Sequence, residues 1–331
     1  MSKQFSATVD ITALLDPNST VAQQNHVGEQ IGEYCKEFGF FYVESDLIPW
    51  SKVVDKAFES ATIFFEQSTQ EQKDTLSMRL HGQHRGYFNI GDENVDDTSE
   101  VSVIDIKEGF DIGLDPSKYT TKNEFSEAKN NWPEWLSSEI WRTNMEAYFD
   151  LIISVGRAIL KGFSISLGFA SDYLDSLFTE PLALLRILKY SPLSNYPKDG
   201  VDKIHLGAGE HTDYGCITIL LQDLSSSGLQ IKHKDEWINV PPMKNKLVVN
   251  VGDAMEMWTN GLYKATTHRV VLTQSNSSNP RYSIPVFFEP NYEVPMKSMI
   301  GGESKYNSQL TNMCFGEYLA ARLTSTFTYR K

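Results

Sequence analysis

Glu210-His211-Thr212-Asp213-Tyr214-Gly215-Cys216-Ile217-Thr218-Ile219-Leu220-Leu221-Gln222 passes from a polar start into an apolar, partly β-branched run. Such a run bounded by turn-forming residues reads as a short strand. On an extended chain, residues two apart share a face, so His211 and Asp213 are predicted to present an imidazole and a carboxylate side by side. Runs of similar texture lie on both sides: Ala183 to Tyr190, Leu229 to Lys232, Leu247 to Val251, His268 to Thr273 and Arg281 to Phe288. Pro, Gly, Asn and Ser clusters separate them. Many short strands at this spacing predict an antiparallel barrel or double-sheet jelly roll.

Ahead of this β-rich part the texture is mixed. Ala7 to Ile11 alternates like a short strand, Thr20 to Phe38 has helical spacing, and Phe40-Phe41-Tyr42-Val43 reads as an aromatic strand after Gly39. Ile48 to Thr69 is predicted as a helix with Pro49 in its first turn and Val53, Val54, Ala57, Ala61, Phe64 and Phe65 on one face. Gly86-Tyr87-Phe88 and Val101-Ser102-Val103-Ile104 read as strands around an acidic loop, Asp92 to Asp97. Pro133 to Leu167 is predicted as a long helix stopped by Gly168, and Phe315 to Leu323 as a helix near the end. The expected fold class is α+β: a β core with helices before and after it.

An HxD pair alone is weak evidence of chemistry. His268 follows Asp213 after 55 residues, in Thr266-Thr267-His268-Arg269-Val270-Val271, at the start of a β run. Two histidines and one carboxylate that leave positions open are the donor set of a mononuclear non-heme iron(II) oxygenase. Beyond a polar turn comes Arg281-Tyr282-Ser283, with Arg281 and Ser283 on one strand face. A buried guanidinium beside a hydroxyl suits a carboxylate ligand.

On these residues the stretch Leu184 to Asn291 resembles the iron(II)/2-oxoglutarate oxygenases of the isopenicillin N synthase-like family. The resemblance implies a distorted double-stranded β-helix (jelly-roll) core with an N-terminal helical region and a C-terminal helix. It implies iron(II) on His211, Asp213 and His268, and the far carboxylate of 2-oxoglutarate on Arg281 and Ser283, with Tyr190 helping to bind the cosubstrate. Gly228-Leu229-Gln230, Trp237, Val249-Asn250-Val251-Gly252-Asp253 and Thr259-Asn260-Gly261 also fit, as do Phe38-Gly39-Phe40-Phe41 and Phe64-Phe65 in the first half. The implied layout is an N-terminal dioxygenase region over 1–130 and a core over 180–292, one catalytic unit with helices in 131–179 and 293–331. Two departures stand out: Glu44-Ser45-Asp46 where the family often has Asn-His-Gly, and a His268-to-Arg281 interval of 13 residues, a few longer than expected. A longer hairpin tip at Ser275 to Asn279 would absorb the second.

The implied activity is a dioxygenase that uses iron(II), 2-oxoglutarate and O2, with ascorbate as reductant in vitro. It would hydroxylate, desaturate or cyclise a small organic molecule and release succinate and CO2. Two alternatives stay open: an oxidase of the same family that needs no 2-oxoglutarate, and a metal-binding or sensing protein without turnover. Arg85, Tyr87 and Phe287 are candidate substrate contacts, and Glu289 continues the alternation that runs through Arg281 and Ser283.

With 43 acids against 30 bases the net charge is −13, so nucleic acid and anionic membrane surfaces are excluded as expected partners. Any anionic substrate must then be held by locally placed cations. No protein partner can be inferred. Cys35, Cys216 and Cys314 are too few and scattered for a disulfide framework; with no signal-like N-terminus and no long apolar run, a cytoplasmic enzyme is expected. Among quieter candidates, His81 and His84 lack a third ligand and read as a polar loop. Asp92, Asn94 and Asp96 have calcium-loop spacing, but Asp97 stands where such a loop needs glycine.

Overall fold

A computed structural model describes residues 4–93, 105–192, 206–272 and 279–327. The expected strand Val101 to Ile104, most of the acidic loop and most of the hairpin tip at Ser275 to Asn279 lie outside the described residues. Twelve strands are present among the described residues: β1 (Thr8–Asp10), β2 (Phe40–Glu44), β3 (Gly86–Phe88), β4 (Lys107–Gly113), β5 (Leu184–Tyr190), β6 (Leu206–His211), β7 (Ile217–Gln222), β8 (Leu229–His233), β9 (Glu236–Asn239), β10 (Leu247–Val251), β11 (His268–Val271) and β12 (Arg281–Phe288). They form a large sheet in the order β1-β2-β10-β7-β12-β5-β4-β3 and a small one in the order β6-β11-β8-β9. Apart from the parallel β1–β2 pair, the ladders are antiparallel. This is the α+β jelly-roll architecture.

The two faces of the large sheet have different partners, and residue alternation assigns them. Phe40, Tyr42, Leu188, Tyr190 and Val248 point toward the small sheet and share a core with Ala208, Leu229, Ile231 and Val270. Phe41, Val43, Leu185, Ile187, Ile219, Val249, Ile284 and Val286 point the other way, into a core shared with the helices Val21–Glu37, Asp55–Gln67 and Ser138–Ser166. A strand buried on both faces reads as a continuous apolar run, which is why Phe40 to Val43 carries no polar alternation.

Helix limits follow local chemistry. The helix Val21–Glu37 starts at a reciprocal cap: the Thr20 side chain accepts from the Gln23 backbone N–H, and Gln23 accepts from the Thr20 N–H. It ends before Gly39, whose φ of +65° turns the chain into β2 and whose missing side chain admits the Lys264 carbonyl. The helix expected over Ile48 to Thr69 instead opens as a π-helical turn, Trp50–Val54, before the regular helix Asp55–Gln67. The long helix expected from Pro133 begins five residues later, at Ser138, and ends at Ser166. No helix among the described residues is long and apolar enough to cross a membrane.

Candidate active site

The space between the two sheets is a cavity, and one end of it gathers the HxD and distal histidine. His211 closes β6, His268 opens β11, and the two are direct partners across the ladder. Their rings lie 4.3 Å apart between centroids. The expectation that Asp213 shares an extended strand with His211 is corrected: β6 ends at His211, and Asp213 sits in the loop after it. That loop is held by the start of the helix Asp253–Trp258, where Asp253 N–H donates to the Asp213 carbonyl at 2.8 Å and Ala254 N–H to the Gly215 carbonyl at 2.9 Å. Asp213 Oδ1 thereby comes within 3.8 Å of His211 Nε2 and 3.7 Å of His268 Nε2.

The surrounding bonds select which atoms face inward. His211 Nδ1 lies 2.7 Å from the Gly209 carbonyl and His268 Nδ1 3.1 Å from the Thr266 carbonyl, so each ring uses its Nδ1–H outward and keeps the Nε2 lone pair inward. Asp213 Oδ2 accepts from Asn250 Nδ2 at 2.7 Å and from the Thr218 hydroxyl, leaving Oδ1 free. Burial, with His268 beside it, holds the His211 imidazole well below its usual range. Burial works against ionisation of Asp213, yet the two histidines, Asn250 and Thr218 hold its carboxyl below the usual range. The three inward atoms are electron-pair donors within 4.8 Å of one another, the only such cluster among the described residues. Two imidazoles and one carboxylate oxygen with open space in front suit a mid-to-late divalent first-row metal, iron(II) among them.

Alternation along β12 sends Arg281, Ser283, Pro285, Phe287 and Glu289 in succession into the cavity wall. Arg281 is 1% exposed. Its Nε and Nη1 have no hydrogen-bond partner, and Nη2 has only Gln222 Oε1 at 3.4 Å. Tyr190, opposite Arg281 in the β5–β12 ladder, lies under the guanidinium at 4.8 Å. Gly207 leaves the room for that ring, since a Cβ there would come within 2.5 Å of it. A buried cation with unmet donors beside the Ser283 hydroxyl is a receptor for an anion.

Of the candidate substrate contacts, Arg85 and Phe287 line the cavity and Tyr87 does not. Alternation in β3 turns Tyr87 to the helix side, where its hydroxyl donates to Glu108 at 2.7 Å and its ring meets Phe64; Phe88 takes the inner face. His84, read as loop, also lines the cavity and stacks on Phe125 at 5.9 Å.

Sequence reasoning missed a charged wall. Arg186 binds both oxygens of Asp111, at 2.7 and 2.8 Å, and Glu93 at 2.8 Å, while Lys107 bridges Glu93 and Asp105 at 3.0 Å each. Phe88 and Phe287 cover the Arg186 guanidinium at 4.8 and 5.6 Å. Leu319, Leu323 and Thr326 of the helix Phe315–Thr326 close the far end of the cavity, which was also not foreseen.

Comparison with known proteins agrees with this geometry. Residues 183–290 match the 2OG-Fe(II) oxygenase superfamily, and residues 8–135 match the family described as non-haem dioxygenase in morphine synthesis N-terminal. The 2-oxoglutarate-dependent dioxygenase tropC of Talaromyces stipitatus is 31% identical over 330 residues, covering 96% of this chain and 94% of that one. The homoarginine-6-hydroxylase 2-ODD-C23 of Glycine max is 29% identical, covering 99% of each chain. Among solved structures, a full-length Neurospora crassa protein crystallised in complex with alpha-KG superposes with a TM-score of 0.81 at 26% identity, covering 97% of this chain and 96% of that one.

Proposed function

Because this chain belongs to the 2OG-Fe(II) oxygenase superfamily, we propose that His211, Asp213 and His268 hold its iron and that Arg281, Ser283 and Tyr190 hold its 2-oxoglutarate. The protein is an iron(II)- and 2-oxoglutarate-dependent dioxygenase that oxidises a small organic molecule. The observation that carries the residue assignment is the pairing, in one cavity, of three inward electron-pair donors with an otherwise unsatisfied buried guanidinium.

Each residue then has a defined task. Bound by the three donors, iron(II) supplies the activation of O2, coupled to decarboxylation of 2-oxoglutarate to succinate and CO2. Asn250 and Thr218 fix the Asp213 carboxylate so that one oxygen is presented. Arg281 meets the far carboxylate with its free N–H groups, Ser283 adds a hydroxyl, and the Tyr190 ring backs the guanidinium. Phe287 and the leucines of the C-terminal helix keep water from the reacting carbon. We read the N-terminal region, 1–130, and the core, 180–292, as one catalytic unit, because β3 and β4 extend the same sheet as β5. A cytosolic location accords with three free cysteines.

Anaerobic titration of the purified protein with iron(II), then with 2-oxoglutarate, tests the assignment. Asp213→Ala should lose iron binding and turnover. Arg281→Gln should keep iron and weaken 2-oxoglutarate by about ten- to a hundredfold, the worth of one or two charge-assisted bonds. An Asp213→Ala protein that binds iron(II) normally, or an Arg281→Gln protein with unchanged 2-oxoglutarate affinity, would refute it.

A further inference from the structure

The cavity contains a second buried guanidinium with unmet donors, besides the one assigned above to the cosubstrate. Arg85 stands just ahead of β3 and is 4% exposed. Its Nη2 donates to the Phe125 carbonyl at 3.2 Å, while Nε and Nη1, three N–H groups between them, have no acceptor. Two glycines hold it there. Gly86 has φ +109° and a Cβ position blocked by the Leu76 carbonyl at 2.2 Å, and Gly113 lacks the side chain that would sit 1.0 Å from Arg85 Nη1.

No acid of the wall answers this cation directly. Asp111, which faces it, has both oxygens engaged by Arg186. Glu93 is taken by Arg186 and Lys107. The Tyr119 phenol gives its proton to the Pro181 carbonyl at 2.9 Å and turns its oxygen toward Arg85, a neutral acceptor that leaves the positive charge unbalanced. The rest of this part of the cavity is mostly apolar, with Phe125, Ala128, Leu182, Phe287, Leu319 and Leu323. Glu124 is a further acid on the lining that makes no hydrogen bond to Arg85. In a chain of net charge −13, capture of an anion requires such a local cation.

We propose that Arg85 receives the carboxylate of the organic substrate, so that the enzyme oxidises a small, largely apolar carboxylic acid whose body lies against Phe125, Leu182, Phe287 and Leu323. The proposal rests on the cavity being the iron and 2-oxoglutarate site, with one orphan arginine for each of two carboxylates. The acid pairs with Arg85 and presents its apolar end toward the iron ligands.

The test uses the iron(II) protein, saturated with 2-oxoglutarate under anaerobic conditions. It is titrated calorimetrically with benzoate, phenylacetate and hexanoate, and with the matching primary amides. At least one acid should bind, its amide about tenfold or more weakly, and Arg85→Gln should lose the acid by about tenfold or more while 2-oxoglutarate affinity stays within about twofold. No acid binding at millimolar concentration, amides binding as well as acids, or Arg85→Gln retaining the acid would each overturn the proposal. So would loss of 2-oxoglutarate in Arg85→Gln, because Arg85 would then hold the cosubstrate. A second variant guards against a merely structural arginine. Arg85→Met removes a buried cation with unmet donors, so the metal-free protein should melt no lower than wild type, and a clear fall in Tm would count against a ligand-binding role. If wild type itself fails to bind 2-oxoglutarate, the cosubstrate assignment falls instead, and the acid–amide comparison at Arg85 is still read without it.

Discussion

Glu289 is the last inward residue of the alternation that begins at Arg281, and it is the acid of the cavity with the simplest environment. Its Oε2 accepts from the Cys216 N–H at 2.5 Å, and its carboxyl fills the space where a Gly215 Cβ would be, 1.7 Å from Oε1. Burial raises it to about 8, the Cys216 N–H acts against this, and the Asp213 charge adds to it. A folded value above the ordinary 4.5 means that the proton stabilises the native state. Its contribution is complete below 4.5 and is lost as pH rises through about 8. Glu289→Gln has nothing to ionise and can still accept from Cys216. The metal-free variant should therefore match wild type below about pH 4.5, melt progressively higher than wild type as pH rises toward about 8, and keep a constant advantage above that. A Tm difference that does not change with pH would mean that Glu289 is ionised in the fold. At this scale the cluster of His211, Asp213 and His268 was legible in the sequence because metal chemistry restricts both residue type and spacing. The Arg186 network was not, because Arg186 and its partners Glu93 and Asp111 lie 93 and 75 residues apart in sequence, and each alone reads as surface charge.

Elements divided in the same way between local and distant causes. β5, β7, β8, β10, β11 and β12 are apolar, β-branched runs and were read almost to their ends. β6, Leu-Gly-Ala-Gly-Glu-His, was missed because its glycines lower strand propensity, and Gly207 is there to admit the Tyr190 ring. β9 was missed because its hairpin turns on Lys234 and Asp235, at φ 49° and 64°, where a glycine or asparagine would have announced the turn. β4 carries Lys107, Glu108 and Asp111 into burial, which only their partners make tolerable. The helix Phe315–Thr326 was read as a helix but not as a cavity wall. It presents Leu319, Leu323 and Thr326 to the cavity, Thr326 bonds the Tyr214 hydroxyl at 2.7 Å, and Arg322 lies over the Tyr214 ring at 4.1 Å. Leu323→Ala should raise the substrate KM several-fold and increase succinate release uncoupled from substrate oxidation, with 2-oxoglutarate affinity unchanged. Equal loss of both affinities would show that this helix supports the whole site and does not merely close it.

Across the whole molecule, the chemistry and the architecture occupy different lengths of chain. All residues assigned to iron and 2-oxoglutarate fall between Tyr190 and Ser283, yet the sheet that carries Tyr190, Arg281 and Ser283 needs strands from the first 113 residues. β2 covers the edge of β10, and β4 covers the edge of β5. The helices Val21–Glu37, Asp55–Gln67 and Ser138–Ser166 cover Leu185, Ile187, Ile219, Val249, Ile284 and Val286. A fragment of residues 180–331 would open two sheet edges and expose that apolar face. At about 25 cal/mol per Å² and 1.5–3 kcal/mol for each large aliphatic side chain, six such residues amount to roughly ten kcal/mol, comparable to the whole stability of a typical domain. Open edges add a route to aggregation. The fragment should therefore show no cooperative thermal transition and no stoichiometric iron(II) binding, although it contains every proposed ligand. Circular dichroism melting and iron titration of the fragment beside the full chain measure both. A cooperative melt with one iron bound would mean that the core folds alone and that the N-terminal region is a separable addition.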